Sequence, residues 1–245
     1  MHITVVNPNT TASMTRTIGE AAHAVAAAGT VIEAVNPESG PASIEGFYDE
    51  VFAVPGMLGV MRARPHADAF VIACFDDTGL DAARSLVPVP VVGIGEAAMH
   101  MATLVATRFS VITTLAVSVP AIEHNVHKYG FDRRCARVRA CEVPVLELEN
   151  PASGACARIS AEIARARTED RAEAIVLGCA GMADLAAALS AEHGLPVIDG
   201  VAAAVKLAEA MVGLGLRTSK AGGYAPPRPK PYSGIFADDA VAEIG

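Results

Sequence analysis

The sequence predicts an α/β protein of two pseudo-twofold-related lobes, each a four-stranded parallel sheet flanked by helices, with the active site in the cleft between them. Three observations predict it. Short runs rich in Val and Ile alternate with Ala-rich stretches of helical length, the pattern of β-α units around a buried parallel sheet. The runs of the second half repeat those of the first at a shift of 105 to 106 residues. Of the 245 residues, 52% are apolar and 19% charged, enough to bury a large core.

The first strand is read at Ile3 to Val6, and its Thr4-Val-Val-Asn7 aligns with Ser110-Val-Ile-Thr113 of the fifth, Phe109 to Thr113. The second, Val31 to Val35, aligns as Ile32-Glu-Ala-Val35 with Val138-Arg-Ala-Cys141, which places the sixth at Val138 to Val143. The third, Ala69 to Cys74, ends in Phe70-Val-Ile-Ala-Cys74, the counterpart of Ile175-Val-Leu-Gly-Cys179 in the seventh, Ala174 to Cys179. The fourth, Val91 to Ile94, and the eighth, Val197 to Asp199, match through Pro90-Val-Val-Gly93 and Pro196-Val-Ile-Asp199. Any one match among Val-rich strands is easy to obtain by chance; four in order at one offset indicate an internal duplication. The first lobe is drawn as residues 1–97 and the second as 98–209, with 210–245 returning to the first as a helix end and an arm. In that arm Gly222-Gly223 and Pro226-Pro-Arg-Pro-Lys-Pro231 cannot continue a helix.

Charge and composition exclude several functions. A formal charge of −8, four lysines in all and no Trp speak against nucleic-acid binding. The amino terminus, Met-His-Ile-Thr-Val-Val-Asn, has no basic leader, and no run of 18 apolar residues occurs, so a cytoplasmic protein with no membrane partner is expected. Five cysteines, at separations of 61, 6, 15 and 23, form neither a disulfide framework nor a zinc-type pair. His100, His124 and His127 lack a carboxylate or thiol at ligand spacing, so no metal is expected. Gly93-x-Gly95 follows the fourth strand rather than the first, which argues against a dinucleotide site, and no lysine stands at a strand end for a pyridoxal Schiff base. No cofactor is expected.

Ligands of open α/β sheets bind beyond the carboxyl ends of strands, where helix N-termini leave backbone N–H groups free. Those ends carry Asn7, Cys74, Thr113 with Thr114, and Cys179. Cys74 and Cys179 occupy the same position in the two copies, so facing lobes would aim two thiols at one ligand. A helix N-terminus behind each is expected to lower its pKa toward neutrality, making one sulfur a base while the other is an acid. Opposed groups of this kind suit removal of a proton from one face of a tetrahedral carbon and its return to the other. Cys135 and Cys156 are read in loop or helix and Cys141 within a strand, all three as packing residues. Asp76 and Asp77 could instead cap the following helix.

Val6-Asn-Pro-Asn-Thr10, Gly40-Pro-Ala-Ser-Ile-Glu-Gly46, Ile72-Ala-Cys-Phe-Asp-Asp77, Gly95-Glu-Ala-Ala-Met-His100, Phe109-Ser-Val-Ile-Thr-Thr114 and Leu177-Gly-Cys-Ala-Gly-Met182 resemble, in this order, the hydantoin and allantoin racemases of the aspartate/glutamate racemase superfamily. The resemblance extends to about Lys220. It implies a cofactor-independent, homo-oligomeric racemase with Cys74 and Cys179 as its two bases, and a last helix packed back on the first lobe. It also carries over Ser43 and Ile44 as contacts with a ring or its substituent. Amino-acid racemases of the superfamily usually place Asn-Thr after the first cysteine and Thr with an acid or His after the second; here stand Phe75-Asp76 and Ala180-Gly181. That exchange removes donors for an α-carboxylate and favours a neutral ring with N–H groups, whose carbonyls would accept from backbone amides near Asp76, Ala180 and Gly181. Phe75, Ile44 and residues near Val117 to Val119 would set the pocket for the ring substituent. The expected substrate is thus a 5-substituted hydantoin, allantoin being one candidate. The rivals are an amino-acid racemase, a single-cysteine decarboxylase of the superfamily, and a two-lobed small-molecule binding protein.

Overall fold

The computed structural model describes residues 1–240. Its first half runs β1 (His2–Val6), α1 (Ala12–Val25), β2 (Val31–Val35), α2 (Phe47–Arg62), β3 (Ala69–Ile72), α3 (Leu80–Leu86), β4 (Val91–Gly93) and α4 (Ile94–Val105). The second repeats the order as β5 (Phe109–Thr113), α5 (Val119–Lys128), β6 (Cys135–Ala140), α6 (Ala155–Glu169), β7 (Ala174–Gly178), α7 (Ala186–His193), β8 (Val197–Ile198) and α8 (Gly200–Gly213). The strands form two parallel sheets of four, ordered β2-β1-β3-β4 and β6-β5-β7-β8. β3, β5 and β7 are buried along their whole lengths because helices cover both faces of each sheet, which is why β3 and β7 read as unbroken apolar runs and β5 as one broken only by Ser110 and Thr113.

Two strands differ from the sequence reading by more than one residue. Val6 pairs with Val35, but its counterpart Ile112 pairs with Arg139 rather than Cys141, so the second strands of the repeat are offset by 104 residues and β6 begins at Cys135. β6 is an edge strand with an irregularity beside Phe109 and Ser110, and it admits Arg137 and Arg139, which hid its start. Cys135 is therefore strand and Cys141 lies just beyond one. The third strand also stops at Ile72, leaving Cys74 in the turn.

The helices that follow the fourth strands are exchanged between the halves. α4 packs on β7 of the second sheet, while α8 packs on β3, β4 and α1 of the first, and the two helices pack on each other. Small residues allow this approach: Ala97, Ala98 and Ala102 on α4 and Ala203, Ala204 and Ala208 on α8 are buried, and a Cβ at Gly200 would sit 2.7 Å from the carbonyl oxygen of Ile94. One apolar cluster consequently runs through both sheets, from Ile3 and Val71 through Ala98 and Val201 to Val111 and Val176. Beyond α8 the arm returns to the first lobe. Thr218 binds the carbonyls of Pro88 and Val89, and Lys220 Nζ donates to those of Arg84 and Ser85.

Candidate active site

The carboxyl ends of both sheets meet at one small cavity. Cys74, two residues past β3, and Cys179, one past β7, both line it, together with Phe75, Asp76, Thr113, Thr114, Ala180 and Ile44. Glycine at 178 is what lets β7 lie against β5 there, since a Cβ would come 2.9 Å from the Ile112 carbonyl oxygen. The cavity measures about 30 Å³. A water needs about 10–15 Å³, so the cavity as it stands has room for little more than water.

Each sulfur accepts a hydrogen bond from the backbone N–H two residues later, Asp76 for Cys74 and Gly181 for Cys179. Thr78 Oγ1 also donates to Cys74 Sγ at 3.3 Å. These donors favour thiolates, yet burial outweighs them. It pushes Cys74 well above the ordinary thiol range, helped by the charge of Asp76, and Cys179 up to about 12. The expected lowering toward neutrality therefore does not occur. For Cys74 the helix is too distant, since α3 begins only at Leu80. For Cys179 a 3-10 turn over Ala180–Leu185 replaces an α-helix.

Asp76 is buried in the cavity wall, and its carboxyl is pushed up to about 8 by burial, then by Glu50 and Asp77. It is thus largely neutral at pH 7 and can donate a hydrogen bond. Asp77 does cap a helix, but not the one that follows it: its carboxylate accepts from Gly95 N at 2.9 Å and Glu96 N at 2.8 Å at the start of α4. Tyr129 Oη donates to the same carboxylate at 2.7 Å, and Asn125 Nδ2 donates to the Asp76 carbonyl at 2.7 Å.

Three residues chosen from the sequence stand back from the cavity. Asn7 is buried beneath it, its Nδ2 donating to Asn9 Oδ1 at 2.9 Å and Thr15 Oγ1 at 3.0 Å, so it shapes the loop while Asn9 lines the cavity. Ser43 is outside the lining, unlike its neighbour Ile44. Gly181 faces an adjoining cavity beside Leu148. The sequence reading missed Asn9, Met14 and Val145, while Ser118 falls in the stretch near Val117 to Val119 that it gave to the substituent pocket. Asn9 was within reach, in the same Asn-Pro-Asn turn; Met14 and Val145 arrive from α1 and from a 3-10 turn over Val145–Glu149, with no local signal. Cys135, Cys141 and Cys156 do not line the cavity. At the opposite end of the first sheet His2, Glu33 and His66 have ligand atoms within 4.8 Å of one another, but Arg64 Nε already holds Glu33 at 2.9 Å, so the group is an ion-pair network.

Two parallel-sheet lobes close on one cavity that takes a thiol from each half, and the relatives that share this arrangement make the protein a racemase, a class of isomerase. Residues 3–208 match the family model described as Asp/Glu/Hydantoin racemase, and the chain belongs to that family. It is 52% identical over 236 residues to a hydantoin racemase of Rhizobium meliloti, covering 96% of this chain and 98% of that one. Among solved structures, an allantoin racemase from Klebsiella pneumoniae superimposes with a TM-score of 0.94 at 52% identity, over 97% of this chain and 98% of the other. An allantoin racemase from Pseudomonas fluorescens does so with a TM-score of 0.92 at 44% identity, over 96% and 100%. Among the described residues, no helix is long and apolar enough to cross a membrane.

Proposed function

We propose that the protein inverts C5 of a 5-substituted hydantoin ring, allantoin included, without a cofactor, using Cys74 and Cys179 in alternation. One thiolate takes the C5 proton, and the electron pair of the broken C–H bond passes into the adjacent carbonyl as an enolate. The opposite thiol then gives its proton to the other face, so each turnover exchanges the roles of the two sulfurs. The observation that carries this reading is the matched pair of thiols on one cavity, each with the N–H of the second following residue on its sulfur.

Burial suits this chemistry. A thiolate of high pKa is a stronger base toward a weakly acidic carbon, at the cost of a smaller ionised fraction at neutral pH. The surrounding residues suit a neutral ring better than an amino acid: among the described residues no Arg or Lys lines the cavity to hold a carboxylate, while the Asp76 carboxyl and the Asn9 amide can hydrogen-bond ring carbonyls. Apolar Ile44, Phe75 and Val145 are available to a substituent. The names of relatives point the same way, since hydantoin and allantoin racemases stand at equal identity to this chain.

In deuterated water, deuterium should enter C5 as optical rotation decays, with allantoin assayed beside benzyl-, isobutyl- and methylhydantoin. A binding protein would show neither change, and an amino-acid racemase would act on none of the rings. Cys74→Ala or Cys179→Ala should lower kcat about a hundredfold to ten-thousandfold, whereas Cys135→Ala, Cys141→Ala and Cys156→Ala should leave it largely intact. Full activity without Cys179 would falsify the two-base assignment.

A further inference from the structure

We infer that α5 is a cross-lobe positioning element for Cys74: Asn125 and Tyr129, in the second half of the chain, set where the sulfur of the first half stands against the reacting carbon. The Cys74 turn is short and conformationally demanding. Asp77 takes φ of 50° and Gly79 of 69°, and a side chain costs energy at the first of these unless the surroundings hold it. What holds it is a set of bonds gathered on the two residues that follow Phe75. Asn125 Nδ2 takes the Asp76 carbonyl and Tyr129 Oη takes the Asp77 carboxylate, both at 2.7 Å, while the N-terminus of α4 takes that carboxylate from the other side. Asn125 lies in α5 and Tyr129 caps its C-terminal end, its N–H still bonding the Asn125 carbonyl at 2.9 Å, so the two, four residues apart, share one helical face. One turn of helix from the opposite half therefore grips consecutive residues of the turn that carries Cys74. Gly93 and Gly95 leave the room for this, since a Cβ at either would collide with Asp77 or its neighbours.

The other thiol is held differently. The 3-10 turn after Cys179 rests on α1, the helix equivalent to α5 in the repeat, and Leu148 packs beside Gly181. Apolar packing thus supports Cys179 and a polar grip supports Cys74. Loosening the grip displaces one base of the pair, and displacements of about 1 Å are enough to lower a rate about a hundredfold.

The inference rests on the two-thiol reading, and its test separates the two. For Tyr129→Phe and Asn125→Ala, kcat/KM is measured with each enantiomer of a hydantoin the wild-type enzyme racemises, as the C5–H and C5–D forms. Passage through Cys74 then limits both directions. The substrate isotope effect should grow for the enantiomer that gives its hydrogen to Cys74 and shrink for its mirror image, with kcat down about tenfold to a hundredfold. An unchanged rate, or isotope effects that move the same way for both enantiomers, would reduce the contacts to general support of the fold and overturn the inference. Tyr129→Phe removes one hydroxyl, and Asn125→Ala tests the second contact independently should the first variant lose its fold. Undiminished racemisation by Cys74→Ala would instead sink the two-thiol reading itself.

Discussion

At Asp76 the same burial that raises the neighbouring thiol raises a carboxyl to about 8, and the two titrations are linked. Below that pH Asp76 is neutral and can donate to a ligand; above it the new charge opposes ionisation of Cys74. Asp76→Asn should therefore shift the alkylation of Cys74 by iodoacetamide to lower pH, read by mass spectrometry of the labelled peptide. Stability carries the same sign. A carboxyl whose folded pKa lies above its unfolded value of about 3.9 contributes fully below that value, and the contribution is lost as pH rises through the folded pKa. Wild-type protein should lose stability between pH 5 and pH 9 relative to Asp76→Asn in urea titrations, and parallel midpoints would exclude a buried neutral carboxyl. None of this is legible in Phe75-Asp76-Asp77 as letters, where the two acids look alike. Burial raises both, Asp76 to about 8 and Asp77 to about 7, and what separates them is their partners: only Asp77 meets Tyr129 and the N-terminus of α4.

At the scale of elements, the strands were the most legible part. Phe109–Thr113 has the bounds expected of it, because a central strand covered on both faces must be largely apolar; Val31–Val35 has them too although it is an edge strand with Glu33 and an exposed Val31, since its β-branched residues still mark it. β6 was not, because an edge strand tolerates arginine on its open side. The end of β8 shows a subtler failure: Asp199 reads as a strand residue but caps α8, its carboxylate accepting from Val201 N at 2.9 Å and Ala202 N at 2.8 Å. Asp199→Ala should cost about 1 kcal/mol, a fall in melting temperature of about 2–4 °C for a chain of this size. An unchanged midpoint would mean that packing alone starts the helix.

For the whole molecule, the exchange of α4 and α8 decides how the lobes behave. Neither sheet can bury its inner face without a helix from beyond the other, so the halves should not unfold separately. Calorimetry should give one transition whose calorimetric and van't Hoff enthalpies agree, and two resolved peaks would show the lobes to be independent. The same exchange gives the two lobes a shared core behind the cleft.

Sequence alone determined the duplicated α/β architecture and the matched thiols, because buried strands are written as apolar runs and a gene doubling as a constant offset. The tertiary structure decided the rest: the direction of the thiol pKa values, the service of two amides to sulfur, the place of Asn9 over Asn7, and the hold of α5 on Cys74. Each depends on burial or on contacts between residues far apart in the chain, and neither leaves a periodic trace in the order of residues.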